Sequence, residues 1–321
     1  MIADRHIFIT GGAGFLGTAL CRVLADGNRI TVFDNMARDA LTASGLAGHP
    51  NVTVRRGDLL EPGAIRDNLP ADVDIVVHMA AVAGVDNVLR DPVTTLEVNM
   101  IGTYNLLRTI DDAGLTTRLE RLVAFSTSEV FGVEAFRVSE ISTMTIEPLG
   151  EARWGYALSK LASEHLVHAF VQGRGLRGVV VRPFNIYGPG QVGEGAIQIF
   201  VKQALAGGPI TVHGDGDQIR SWCYVDDMID GIVRCMVVPA AVGQVFNLGN
   251  PRGTVTTLGL ARMVRDQTGG GAMIQHVPQP YVDVDVRVPN IAKARDLLGF
   301  EPAVELDDGL ARTIEGFRSE K

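Results

Sequence analysis

The chain is poor in cysteine, with three (Cys21, Cys223 and Cys235) in 321 residues. Their spacing fits neither a paired metal-ligand motif nor a disulfide framework, which reads as reduced thiols in a cytoplasmic protein. The seven histidines are scattered, without an H-x-H or H-x-x-x-H cluster, so no metal site is expected. No block of like charge occurs, and the formal net charge is −8. That balance argues against nucleic acid as a partner, because phosphate-backbone binders carry a basic face. It leaves room for a small anionic ligand held by a few local arginines. No apolar run is long enough to span a membrane, and the N-terminal MIADRHIFIT lacks the apolar core and cleavage site of a secretory signal. Internal repeats and low-complexity linkers are missing too.

What is present is the composition of a globular protein, 46% hydrophobic and 21% charged, long enough for a main domain with a lobe. Short apolar runs at 6–10, 29–34, 52–58, 74–80, 121–127 and 178–184 alternate with helix-like segments at 15–26, 61–69, 92–113 and 154–172. Continuous apolar strands separated by helices indicate an α/β fold, a doubly wound parallel sheet covered on both faces. After residue 184 glycine- and proline-rich turns break the rhythm. The reading is a dinucleotide-binding domain over 1–180, rejoined by about 218–250, and a smaller C-terminal α/β substrate lobe over 181–321, interleaved with it.

TGGAGFLG follows the first strand and opens the first helix, with Gly11, Gly14 and Gly17 at G-x-x-G-x-x-G spacing. Glycines here permit a tight turn, close approach to a pyrophosphate and close helix–strand packing, while the helix start at Phe15 and Leu16 offers free N–H groups. The second strand ends in Asp34 and Asn35, where an acid meets the adenosine ribose and repels a 2′-phosphate, favouring NAD over NADP. Arg38 is close enough in sequence to oppose that preference. Asp58 and Leu59 end the third strand; Asp58 faces the adenine or caps a helix. Ala80, in HMAAVAG, suits a backbone passing close to a cofactor, and His78 reads as a packed core histidine.

YALSK puts Tyr156 and Lys160 four apart on one helix face. With five tyrosines and four lysines in the chain, such a pair arises by chance only occasionally. An ammonium near a phenol lowers the phenol's pKa, so that it can take the proton of an alcohol while a hydride leaves the same carbon. Upstream, FSTSEVFG crowds Thr127, Ser128 and Glu129 at a strand end.

Together with RPFNIYGPG and GDGDQIRSWCYVDD, these motifs resemble the extended short-chain dehydrogenase/reductases acting on nucleotide sugars, over nearly the whole chain. The resemblance implies a Rossmann domain, tightly bound NAD, a nucleoside-diphosphate sugar in the C-terminal lobe, and a homodimer formed through the helices near 92–113 and 154–172. It puts Asn99 near the active-site helix, Arg220 on the diphosphate, and Asn185 near the substrate phosphates. PITVHGDG resembles the strand and turn that pack on the nucleobase. Arg182 is expected to pin a strand end, and Asp226 and Asp227 to cap the following helix.

The shared opening step in that family is oxidation at sugar C4, with Tyr156 as base. A 4,6-dehydratase typically places an Asp–Glu pair where this chain has Ser128–Glu129, and a serine hydroxyl is too weak an acid to protonate a departing hydroxyl. A C4-epimerase typically has no carboxylate there. The TSE string resembles that of UDP-glucuronic acid decarboxylases, in which Ser and Glu position the substrate carboxylate and handle C5 protonation. EARWGYALSK and YVDVDVRVPNIAKARDLLGFEP resemble the same group, the latter placing Arg287 on the carboxylate, with diphosphate binding as its other role. GDGDQIRSW looks more like the dehydratases. Decarboxylase, giving UDP-4-keto-pentose and/or UDP-xylose, thus ranks ahead of epimerase and dehydratase. The non-enzyme alternative is an NAD-binding regulatory protein.

Overall fold

The computed structural model describes residues 2–146, 149, 151–279 and 281–319. Seven strands, β1 (His6–Thr10), β2 (Arg29–Asp34), β3 (Val52–Arg56), β4 (Ile75–His78), β5 (Arg121–Phe125), β6 (Gly178–Pro183) and β7 (Val245–Leu248), build one sheet. Its order is β7-β6-β5-β4-β1-β2-β3, and every neighbouring pair is parallel. Side chains alternate between its faces. Ile7 and Ile9 enter one apolar cluster while Phe8 enters the other, and Val123 and Leu122 split in the same way. Both faces are therefore buried, which is why these strands read as continuous apolar runs. The sheet is the expected Rossmann arrangement.

Strand order reverses between β1 and β4, so the chain ends leaving these strands open a crevice at the sheet's C-terminal edge. Several strands stop earlier than their apolar runs suggested: residues 57–58, 79–80 and 126–127 lie beyond the ladder and line that edge. The helix expected over 92–113 is three pieces, Pro92–Leu96, a π-turn at Glu97–Ile101, and Gly102–Asp112. The helix carrying Tyr156 runs over Ala152–Arg174.

A second sheet holds four strands in the order Thr254–Thr256, Ile219–Ser221, Val286–Pro289, Glu134–Val138. It draws one strand from within the first 180 residues and another from within 218–250, so the two sheets exchange chain at both places. Its middle strands run parallel with Arg220 directly beside Arg287. The helix Val225–Val237 lacks the expected side-chain cap. Tyr224 occupies its N-cap without a side-chain bond, Asp226 is exposed, and the Asp227 carboxylate instead accepts from the N–H groups of Ala303 and Val304 at 2.9 and 3.0 Å. Buried in the first turn, Asp227 spends both oxygens on the passing chain. Among the described residues no helix is long and apolar enough to cross a membrane.

Candidate active site

The glycine turn is built for close approach. Gly11 has φ +71°, and a Cβ on it would sit 2.5 Å from the Ala80 nitrogen; one on Gly17 would sit 2.4 Å from the Gly12 Cα. The helix Phe15–Leu24 begins at Gly14 with no side-chain cap, so its first turn faces the crevice with N–H groups and positive dipole. Asp34, ending β2, accepts from the Ala13 N–H (3.0 Å) and the Met36 N–H (2.7 Å). Burial pushes its carboxyl upward, against those two bonds. The Ser126 hydroxyl, beyond β5, is buried without a partner among the described residues. A cradle that a single Cβ would fill, an uncapped helix start and an orphaned hydroxyl fit a dinucleotide. Gly17→Ala should cost the fold and the cofactor site roughly 1–3 kcal/mol through overpacking against backbone, seen as weaker NADH binding in a fluorescence titration and a lower melting temperature. Unchanged NADH affinity would contradict the cradle.

Other cofactor-side expectations fall out separately. Asn35 is exposed and spends its Oδ1 on the Ala37 N–H, while Asp58 closes a turn on the Leu60 N–H at 2.9 Å rather than capping a helix. Leu59 is buried against the helix 102–112 side of the sheet. Arg38 donates to the Ala83 carbonyl at 2.6 Å and so turns toward the loop after β4. His78 is a core histidine, held between the Thr10 and Thr103 hydroxyls at 2.7 and 2.9 Å and pushed by burial down to about 3. Asn99 lies in the π-turn, a distortion common at functional sites. Its Nδ2 donates to the Ser159 hydroxyl (3.0 Å) and the Val82 carbonyl (3.1 Å), tying the loop after β4 to the Tyr156 helix.

The chemistry-bearing residues converge beyond β5. Thr127 is extended and its Oγ1 accepts from the Glu129 N–H at 3.2 Å, opening the short turn Ser128–Phe131. Glu129 receives both arms of the Arg153 fork, Nε to Oε2 at 3.2 Å and Nη2 to Oε1 at 3.0 Å. The Arg153 Nη1 donates at 2.8 Å to Asp283 Oδ1, an oxygen that Arg220 also approaches at 3.1 Å. Arg287 donates from Nη1 to the Ser128 hydroxyl (3.3 Å) and from Nη2 to the Gly132 carbonyl (2.8 Å). Its Nε is buried with no partner among the described residues. Arg287 is 2% exposed, and burial lowers it to about 10, so it remains a cation at neutral pH. Like charges set directly abreast in a sheet are unfavourable, and Arg220 beside Arg287 therefore marks a place for anions. Thr127, Ser128, Glu129, Arg153, Arg220 and Arg287 line, with Tyr156, Pro183, Asn185 and Ile186, a cavity of about 240 Å³. Asn185 is fixed by donating to the Ser221 carbonyl at 3.0 Å.

Tyr156 and Lys160 share one helix face as expected, but the expected tuning differs. Burial and the Glu129 charge push the phenol up to about 12, opposed by the Thr127 hydroxyl and Arg38. Lys160 is itself lowered to about 8 by burial, against the pull of Glu164. In the protein alone the phenol is not depressed, because its own burial and the Glu129 charge outweigh the groups that favour the phenolate. Glu129→Gln should therefore lower the phenol's pKa and move the rise of C4 oxidation with pH toward neutral, followed as the pre-steady-state rise of reduced-nicotinamide absorbance. A pH profile that stays put would show that Glu129 does not act on Tyr156.

Arg153 and Asp283 entered the sequence reading only within EARWGYALSK and YVDVDVRVPNIAKARDLLGFEP, without roles of their own. Arg153 stands three residues before Tyr156, on the same helix face, and that spacing was the available signal. Asp283 has no such signal, since it reaches the site from a loop distant in sequence.

The sequence model of the NAD dependent epimerase/dehydratase family matches residues 7–249. The chain belongs to this family. It is 36% identical to a UDP-glucuronic acid decarboxylase 1 of Xenopus tropicalis over 98% of this chain and 73% of that protein. Among solved structures it resembles the UDP-glucuronic acid 4-epimerase of Bacillus cereus, in complex with UDP-glucuronic acid and NAD (28% identity, 98% and 100% coverage, TM-score 0.88). It also resembles DesIV, a dTDP-glucose 4,6-dehydratase of Streptomyces venezuelae with NAD bound (30% identity, 98% and 97% coverage, TM-score 0.86). As a member of an NAD-dependent family it takes NAD as cofactor, in keeping with the glycine cradle and Asp34.

Proposed function

We propose that the protein is a UDP-glucuronic acid decarboxylase. The observation that carries this reading is the anion pocket beside Tyr156: Arg287, its Nε unpartnered, bonded to Ser128 and set abreast of Arg220. Two cations at one end of a sugar-sized cleft suit a substrate with a carboxylate on the sugar and a diphosphate beyond it. The similarity to curated decarboxylases over 98% of the chain supports the same choice. Serine at position 128 argues against the dehydratase course, which needs an acid there.

Gly11, Gly14, Phe15, Leu16, Gly17 and Asp34, with Asn35, Asp58, Leu59, Ala80 and Asn99 around them, would hold NAD, which when bound would supply the hydride acceptor for sugar C4. Tyr156 takes the C4 hydroxyl proton, with Lys160 favouring the phenolate. The C5 carboxylate then belongs to a β-keto acid, which Arg287 and Ser128 hold. The C5–C6 bond breaks, CO₂ leaves, and its electron pair spreads to O4, where the Tyr156 and Thr127 hydroxyls donate. One proton then joins C5, from a water held by Ser128 and Glu129. Arg220 and Asn185 serve the diphosphate. We assign 1–180, with 218–250, to cofactor binding and the remaining lobe to the nucleotide sugar, in a cytoplasmic homodimer. Val93, Ile101, Tyr104 and Leu158, exposed on the two helix segments, supply an apolar face for that pairing.

The test is to incubate the protein separately with UDP-glucuronic acid and UDP-glucose and follow product mass. Loss of CO₂ from the first alone is expected, the product being lighter by about 44 mass units where the hydride returns to C4 and by about 46 where the 4-ketone is released. Water loss from the second would overturn the reading in favour of a dehydratase.

A further inference from the structure

We propose that Arg153 is a positioning residue for the decarboxylation step, an inference that rests on the reading above. Glu129 is a flexible side chain entering a cavity that must also admit the substrate's own carboxylate. Left alone, it would turn away from that second negative charge. Arg153 prevents this by gripping both of its oxygens at 3.2 and 3.0 Å. The grip is itself anchored, since the third guanidinium nitrogen donates to Asp283 at 2.8 Å. Arg153 is 7% exposed, and a guanidinium is not buried that deeply without a requirement for its planar fork.

The location of Arg153 gives the pair its function. It stands on the same helix face as Tyr156, three residues earlier, so Glu129 is held at a fixed offset from the proton acceptor. One carboxylate comes from the turn after β5, and its orientation is dictated by the helix that carries the tyrosine. The water that delivers the C5 proton is then aimed from a defined side of the ring. Charge tells the same story. Arg153 and Arg220 are matched by Glu129 and Asp283, leaving the Arg287 charge for the incoming sugar carboxylate. Arg153 keeps Glu129 from competing for that charge. The proton and electron balance of the step is unaltered, because Arg153 neither gives nor takes a proton.

A double-mutant cycle tests this in the NAD-loaded protein: Arg153→Met and Arg153→Lys, each alone and with Glu129→Gln. Arg153→Met should slow CO₂ release by on the order of a hundredfold, the cost of misplacing a reacting group. Calorimetric affinities for NADH and for UDP, neither of which carries the sugar carboxylate, should stay close to wild type. In the Glu129→Gln background the same substitution should cost almost nothing further. Arg153→Lys restores the charge but not the fork, and should stay well below wild type. Melting curves identify any variant that fails to fold, in which case the lysine variant carries the cycle. Losses that multiply to within about twofold across the two backgrounds, or a lysine variant as fast as wild type, would overturn the positioning role while leaving the decarboxylase reading intact. A wild-type protein that releases no CO₂ overturns that reading and this inference with it.

Discussion

Tyr156→Phe should reduce turnover of UDP-glucuronic acid by roughly 10²- to 10⁴-fold, the usual contribution of a general acid–base group. The ring remains, so the helix Ala152–Arg174 keeps its packing, and only the hydroxyl facing Thr127 is lost. Binding of NADH and of UDP, measured by fluorescence and calorimetry, should remain near wild type, because neither depends on that oxygen. The phenol's high starting pKa sharpens the expectation. A group pushed to about 12 by burial and by Glu129 is not an adventitious surface base. A variant retaining more than about a tenth of wild-type turnover would show that the proton goes elsewhere.

Arg182→Met should cost the fold about 3–5 kcal/mol, the penalty for leaving a buried charge without its partner. Arg182, on β6, meets Glu164 through Nε (2.8 Å) and Nη2 (2.7 Å), and both side chains are buried. Glu164 lies on the Tyr156 helix, eight residues on from the tyrosine and four from Lys160, and its charge opposes the lowering of Lys160. The pair therefore pins the catalytic helix to the sheet and helps to keep the lysine charged. Denaturant unfolding should show the loss, and Arg182→Met with Glu164→Leu together should recover most of it, because an apolar pair of similar volume carries no desolvation cost. If the double variant were no more stable than Arg182→Met alone, the loss would come from packing and not from the stranded carboxylate.

The parts of this molecule legible in sequence are those set by local chemistry. The apolar runs gave the parallel sheet because burial on both faces leaves no room for alternation, and the expected return of the chain within 218–250 contains β7. Gly11 and Gly17 announced a turn whose backbone contacts no Cβ could tolerate. Tyr156 and Lys160 were readable from helical spacing. Other features depend on distant pairings that no spacing encodes. The strand Glu134–Val138 leaves the first half of the chain to join Val286–Pro289, and Arg220 comes to lie beside Arg287 only through that second sheet. Asp227 reads as a cap because it opens a helix, yet Ala303 and Val304 claim it. The sign of the Tyr156 shift was likewise out of reach, since it depends on the burial of the phenol itself and on the Glu129 charge brought near it.

The central claim is that a carboxylate leaves from C5 in a cavity built from Ser128, Glu129, Arg153 and Arg287. The most direct measurement supplies UDP-glucuronic acid labelled at C6 to the purified protein with NAD and counts label in trapped CO₂ against nucleotide sugar consumed. Equal amounts are expected, with Tyr156→Phe releasing label roughly 10²- to 10⁴-fold more slowly. Nucleotide sugar converted with all label retained, as an epimer would retain it, would contradict the account.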